Sequence, residues 1–395
     1  YAYFEYTSTD HYYREKAVLT TELRAISNQG QEIFNGSTDW VAGIFYKQDD
    51  EDLLRQYTYA SGDFTSTNES KSIAVYGQLN SQLSERWSLV SGLRIEDYSA
   101  DYLNSNVLVE DPSKTFTGSI SDTMVGGKLV LSYQQTEDSL WYASINRGYK
   151  AGGHNTSGSL TPELRSFEPE FLLNYELGYK VSLLDSNAYI RTAIFYMDRE
   201  DMQVKSSELI TRDDGSTEFI PYLSNATSGS NYGAEVETSW HINDVVNVYA
   251  SLGLLNTEFN DFIDADGHSL TGEEQAHAPN YQFNVGINYQ PTDEWLFNIS
   301  VDGKDEFYFS DTRYYDGQPI PKEDITSEAV VLLNASISYL QDNWQLKVWG
   351  RNLANKDYAN RGFYFGNDPR DGYTPKQYTQ LSEPLVFGAS LDYQF

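Results

Sequence analysis

Cysteine is absent from the chain, which excludes a disulfide framework, thiolate metal sites and a cysteine nucleophile. Basic residues are scarce: 27 Lys and Arg stand against 58 Asp and Glu in 395 residues, a formal charge of −31. A phosphate-binding surface needs a basic stripe, so nucleic acid is not an expected partner. Long apolar runs are missing too. None is longer than the five residues of Ala329 to Leu333, far short of the roughly 18 residues that a membrane-spanning helix requires. The chain opens inside a strand-like run, YAYFEY at 1–6. No basic segment, apolar segment and cleavage site precede it, so a secretory signal is expected either to be missing or to have been removed along with other upstream sequence.

Aromatic residues, by contrast, reach 15%, with 32 Tyr, 19 Phe and 7 Trp, although only 39% of residues are apolar. A disordered chain would be poor in aromatics. One template recurs: segments of about 10 residues alternate apolar and polar, as side chains on a strand must. In 280–290, Tyr281, Phe283, Val285, Ile287 and Tyr289 share one face, while Gln282, Asn284, Gly286 and Asn288 share the other. The same alternation marks 124–134 and 174–183. About 16 strands result, near 1–6, 18–26, 39–46, 72–83, 86–98, 124–134, 138–147, 174–183, 187–204, 229–242, 246–258, 279–290, 294–304, 330–340, 343–352 and 384–395. Short connections such as 135–137 and 341–343 alternate with long ones near 47–71, 99–123, 148–173, 205–228, 259–278, 305–329 and 353–383. Antiparallel strands with tight turns at one end and large loops at the other are therefore expected.

Such a pattern fits either a soluble sandwich or a transmembrane barrel whose apolar face meets lipid. Soluble strands average about 5–6 residues, whereas crossing a bilayer at a tilt takes about 9–11. Length favours the barrel. Charge placement agrees, because Lys or Arg on a lipid face costs about 2–4 kcal/mol near the midplane. Arg94, Lys128, Lys180, Arg191 and Lys347 all fall on the polar face. Trp87, Trp141, Tyr179, Trp240, Tyr281, Tyr289, Trp295, Trp344 and Tyr393 cluster at strand ends on the apolar face, where rings with a polar tip suit a membrane interface. The alternative for these rings is ordinary cross-strand pairing in a soluble sheet.

At the C-terminus Leu385, Phe387, Ala389, Leu391, Tyr393 and Phe395 share one face and the chain stops on Phe395. This resembles the terminal signature of bacterial outer-membrane proteins, which implies recognition by the barrel-assembly machinery. Several stretches resemble TonB-dependent outer-membrane receptors: TTELRAIS at 20–27, WVAGIFY at 40–46, IAVYGQL at 73–79, LVSGLRIE at 89–96, YASINRGYKAGGHN at 142–155, FEPEFLLNYELGYK at 167–180, NYGAEVE at 231–237, HAPNYQFNVGINY at 277–289 and WGRNLANKDY at 349–358. They occur in that family's order and span nearly the whole chain. The last strand departs from the family, with Pro384-Leu385 where Pro-Arg is usual.

The resemblance implies an all-β, transmembrane antiparallel β-barrel, with residues 1–395 forming the C-terminal part of a 22-strand barrel whose plug domain and first strands lie outside this chain. It implies a Gram-negative outer-membrane location, contact with lipid and lipopolysaccharide, and energy from TonB-ExbB-ExbD delivered through the plug. It further implies uptake of a scarce small-molecule ligand, a ferric siderophore first, with cobalamin, haem or an oligosaccharide as alternatives. Passive porins and adhesin or phage-docking surfaces are the rivals. No covalent chemistry and no intrinsic cofactor are implied.

Candidate ligand contacts follow. RGYKAGGHN offers Arg147, Tyr149, Lys150 and His154 among the turn-permitting Gly148, Gly152 and Gly153. Equally, the motif is a scaffold that turns the chain at the rim. Arg313, Tyr314 and Tyr315, and Arg361, Phe363, Tyr364 and Arg370, mix cations with aromatics, a chemistry suited to flat anionic ligands. Asp264, Asp266, Gly267 and Glu273 fit positions of a calcium loop, but its first position is Phe262, and no metal site is expected. The acidic run Asp49, Asp50, Glu51 and Asp52 is either a solvated face or a divalent-cation and lipopolysaccharide contact.

Overall fold

A computed structural model describes residues 9–58, 63–106, 115–156, 160–211, 217–264, 266–366 and 368–394. The strand expected at 1–6 and the terminal Phe395 lie outside the described residues. The strands are β1 Asp10–Ile26, β2 Thr38–Tyr57, β3 Phe64–Gln82, β4 Trp87–Asn106, β5 Phe116–Thr136, β6 Ser139–Lys150, β7 Gly153–His154, β8 Ser166–Phe167, β9 Glu170–Leu183, β10 Ala188–Thr211 and β11 Thr217–Asn243. They continue with β12 Val246–Asp261, β13 Tyr281–Tyr289, β14 Trp295–Lys304, β15 Tyr314–Tyr315, β16 Gln318–Pro319, β17 Val330–Gln341, β18 Trp344–Arg351, β19 Ala359–Phe365, β20 Lys376–Leu381 and β21 Val386–Tyr393.

Fifteen of these form one antiparallel sheet in the order β1-β2-β3-β4-β5-β6-β9-β10-β11-β12-β13-β14-β17-β18-β21. Each matches one strand of the sequence reading. Among the described residues no ladder joins β1 to β21, so both carry an unpaired edge. Strands run well past the expected ends. The stretches 47–71, 99–123 and 205–228, expected as loops, are largely ladder: Lys47 pairs Ser72 and Arg55 pairs Phe64. Alternation vanishes there because, beyond the apolar band, polar side chains suit both faces, while backbone pairing continues regardless of side chain.

Large apolar side chains on one face stay exposed, among them Ile95, Leu129, Leu177, Leu254, Val285 and Ile194, the last at 58%. They sit on the outer face of a single sheet. In water each would forgo about 1.5–3 kcal/mol of burial; hydrocarbon removes that cost. Rings cap the band at the tight-turn end. Trp87 opposes Tyr133, Tyr133 opposes Trp141 and Trp141 opposes Tyr179, with ring centroids 4.7 Å apart for the first pair and 4.3 Å for the last. Trp240 opposes Val248, the Trp295 and Tyr339 rings meet at a tilt with centroids 4.9 Å apart, and Trp344 opposes Tyr393. Tyr289 closes the same end of β13, whereas Tyr281 stands at the long-loop end.

The opposite face is polar and hydrogen-bonded. Tyr142 donates to Glu176 at 2.6 Å, and Asp302 accepts Asn284 and Asn334 at 2.5 and 2.6 Å. The Tyr142 ring lies over Gly178, where a Cβ would meet it at 2.2 Å, so only glycine permits that crossing.

Candidate ligand site

RGYKAGGHN does not present its side chains together. Arg147 shares the outer face with Trp141 and Ile145, and opposes Gly127 and Leu173. Its guanidinium donates to the Val125 carbonyl and lies 4.4 Å from the Phe171 ring. It therefore points toward the membrane interface instead of the pore mouth, as its even spacing from Ile145 dictates. The Tyr149 hydroxyl joins Arg94 and Glu96 at 3.0 and 2.9 Å, passing over Gly126, where a Cβ would clash at 2.8 Å. Lys150 is exposed at the end of β6 opposite Glu170.

His154 packs. Its ring stacks on buried Tyr102 at 5.5 Å and meets Ser166 Oγ at 3.0 Å, and burial lowers its pKa. Asn155 clamps this segment to β11, exchanging hydrogen bonds with Leu223 at 2.8 Å in both directions. The motif is a brace between the sheet and its loops.

Asp264 and His268 close a hairpin tip. The Asp264 carboxylate accepts the backbone N–H of Asp266 and His268 at 3.0 and 2.8 Å and the His268 ring at 3.1 Å. Asp264, Asp266 and His268 keep their ligand atoms within 4.8 Å of one another, without Glu273. Gly267 supplies the positive φ of +87° for the turn. A hairpin, with the His268 ring stacked 3.9 Å from Tyr314, replaces the helix-flanked calcium loop. The acidic run lies within β2, where Asp49 pairs with Lys16 and Lys47 at 3.0 Å each and Glu51 with Arg14 at 3.6 Å.

Arg313 is an internal tether. It is buried, donates to the carbonyls of Ser310 and Glu274, and stacks 3.7 Å over Tyr308. Tyr314 packs against the core of Met202, Val204, Ala226, Phe259, Phe262 and Leu270. Tyr315 meets Tyr364 edge-on at 5.9 Å, joining two loops. Arg370 folds back on Asp368 at 2.8 Å, and together with Lys376 holds that carboxyl well below its usual range. Arg361 and Phe363 stand adjacent on β19, 5.8 Å apart.

These last two residues border a cleft of about 520 Å³. The upper part of β10 supplies Arg199 and Lys205, the 262–280 segment supplies His277, and the 305–329 loop supplies Phe309 and Asp311. Phe259 forms part of the wall. Its lining carries three basic side chains, Arg199, Lys205 and Arg361, and one carboxyl, Asp311, with Arg199 already ion-paired to Glu170. Glu170 orients Arg199 through a 2.8 Å contact to Nε, and Gln275 accepts from the same guanidinium at 3.1 Å.

Asp311 accepts the Ala276 N–H at 2.8 Å. Enclosure pushes its pKa up, against the pull of Arg313. His277 adopts φ of +57°, an uncommon conformation for a side-chain-bearing residue that draws attention to a site. Burial lowers its pKa; Arg361 and Lys205 act in the same direction and Asp311 opposes them. Sequence reasoning had singled out Arg361 and Phe363 but missed Arg199, Lys205, His277 and Asp311. A second cavity of about 830 Å³ lies on the polar wall between Lys180, Arg191, Glu237, Asp302 and Lys304.

Comparison with known proteins matches residues 1–353 to the family described as TonB dependent receptor-like, beta-barrel. The pesticin receptor of Yersinia enterocolitica is 24% identical over 255 residues, which covers 64% of this chain and 36% of that protein. Among solved structures, the ferric yersiniabactin uptake receptor FyuA from Yersinia pestis superposes with a TM-score of 0.75 at 21% identity, over 98% of this chain and 55% of that one. The closed form of the ferric-catecholate import receptor Fiu from E. coli gives a TM-score of 0.69 at 18% identity, over 97% and 55%. The chain thus spans about half the length of these solved structures.

Proposed function

The chain belongs to the TonB-dependent receptor family of the Gram-negative outer membrane, through its β-barrel domain, and from that premise we propose that it is the C-terminal part of an importer for a scarce ferric chelate. In this reading, strands preceding β1 pair with its open edge and complete the barrel. A plug domain fills the lumen against the polar wall, and TonB supplies the energy that displaces it. Members of the family are receptors and transporters, not enzymes.

The observation that carries the reading is a single-layer sheet with an apolar outer face, a polar inner face and large loops gathered at one end, where the cationic cleft opens. Ligands named for the similar structures, ferric yersiniabactin and ferric catecholate, support iron as the cargo.

Growth of a strain lacking the complete receptor, scored across ferric chelates under iron depletion, tests it. The deletion is expected to abolish growth on at least one chelate, and removing TonB from the parent should do the same. Steady ion conduction by the full-length protein in planar bilayers without TonB would instead identify a passive porin.

A further inference from the structure

At the tight-turn end, the connection between β1 and β2 closes through a bridge in which the Ile33 N–H donates to the Thr38 carbonyl at 3.0 Å. Between those residues Phe34, Asn35 and Gly36 take φ of 54°, 61° and 82° in succession. Glycine adopts that region freely and asparagine tolerates it, whereas a bulky aromatic residue is a genuine outlier there. Phe34 gains no burial in exchange, being 68% exposed. Few bonds hold the turn. Ser37 Oγ donates to the Phe34 carbonyl at 3.0 Å, and the Ser37 carbonyl accepts the Gln82 N–H at 2.7 Å.

Asn35 and Gly36 form the only Asn-Gly pair in the sequence. Both are exposed, and nothing lies within 4 Å of where a Cβ on Gly36 would stand. Among the described residues neither the Asn35 carboxamide nor the Gly36 N–H has a hydrogen-bond partner. The Gly36 nitrogen is therefore free to attack the neighbouring side-chain carbonyl, and no Cβ on Gly36 obstructs the approach. Reaching the attacking geometry requires Asn35 to leave its left-handed conformation. A turn held so lightly opens locally, and release of the strain at Phe34 favours the opening.

We propose that Asn35 is a site of spontaneous deamidation in the folded protein, made reactive by its strained turn. The Gly36 nitrogen bonds to Asn35 Cγ and loses its proton, while the carboxamide nitrogen leaves as ammonia, which closes a succinimide. Water then adds to one of the two ring carbonyls and breaks its C–N bond. Opening on the side-chain carbonyl gives aspartate; opening on the backbone carbonyl gives isoaspartate, whose main chain is longer by one carbon. One water is consumed and one ammonia released, with no change of oxidation state. Either product adds a negative charge to the turn, and isoaspartate also lengthens the path between Ile33 and Thr38. Leu184, Asp185 and Ser186 take positive φ in succession as well, but that turn offers no amide beside a glycine.

Peptide mapping by mass spectrometry of the complete receptor, folded in bilayers and held in mildly alkaline heavy-oxygen water, tests the assignment. The peptide containing Asn35 gains the mass of an amide-to-acid exchange with one heavy oxygen, ahead of peptides carrying the other asparagines. It also becomes a substrate for an isoaspartyl methyltransferase supplied with S-adenosylmethionine. Asn35→Gln abolishes the gain. Phe34→Gly relieves the strain without touching the reacting pair, and slows conversion in the folded protein about fivefold or more, the scale of one relieved left-handed residue. In urea the parent and Phe34→Gly convert at the same rate. The proposal is overturned if the Asn35 peptide keeps its mass while others convert, if no isoaspartate forms, or if the two proteins react equally fast when folded.

Discussion

Glu170 and Arg199 face each other across β9 and β10, with the carboxylate accepting from Arg199 Nε at 2.8 Å while its second oxygen accepts the Gln203 backbone N–H at 2.9 Å. One buried acid thereby orients a cleft cation and fixes the strand that carries Lys205. Gln203 in turn donates to the Ala151 and Glu168 carbonyls at 2.8 and 3.0 Å, so the glycine-rich segment, the upper part of β10 and the cleft form one unit.

Removing that acid should be costly. Glu170→Ala leaves an unpaired guanidinium and an unsatisfied N–H, a local loss of about 3–5 kcal/mol. Limited proteolysis is expected to cut within 151–169 faster in the variant, together with weaker binding of an anionic chelate. Glu170→Asp should restore part of both. Unchanged proteolysis would show that the contact is dispensable.

The pH dependence of binding has a definite sign. Within the cleft burial, Arg361 and Lys205 lower the His277 pKa, with Asp311 opposing. A bound anion favours the protonated ring and raises that pKa. Affinity should therefore increase as pH falls through the bound-state value, and be flat well above it. Protonation of Asp311, whose pKa is raised, acts in the same direction, so His277→Gln and Asp311→Asn separate the two. Loss of the slope in His277→Gln, measured by titration at several pH values, is the expected result.

Outer-face charge should block assembly. Ile194 is 58% exposed on the apolar face, and Ile194→Arg is expected to destabilise the folded protein in lipid by about 2–4 kcal/mol. Arg191→Ala, on the polar wall, carries no such penalty. Urea unfolding in lipid vesicles measures the difference.

Arg147→Ala should leave chelate affinity within about twofold of the parent, the ordinary range for a surface change away from a site. Its guanidinium lies on the outer face against Phe171. A large loss of binding would show that this arginine turns inward.

The strands were legible because lipid enforces strict alternation: wherever one face meets hydrocarbon, as in 280–290, a period of two is unavoidable. Beyond the band that constraint ends, which is why the upper halves of β2, β3, β10 and β11 looked like loops. Arg147 was misplaced for a simpler reason. Its parity with Ile145 was readable, but the glycine motif following it suggested a loop. The cleft was largely hidden, because Arg199, His277 and Arg361 are far apart in the chain and only the folded structure brings them to one cavity.

The central claim is that hydrocarbon solvates the apolar face of the sheet. This chain contributes no competing cysteine, so single cysteines introduced along β10 at residues 191 to 196, in a full-length receptor cleared of any other cysteine, can be spin-labelled in bilayers. The account predicts that labels at Thr192, Ile194 and Tyr196 are reached by lipid-soluble oxygen, while those at Arg191, Ala193 and Phe195 are reached far less. Equal oxygen accessibility at all six positions, or protection of the Ile194 face by a second layer of protein, would contradict it.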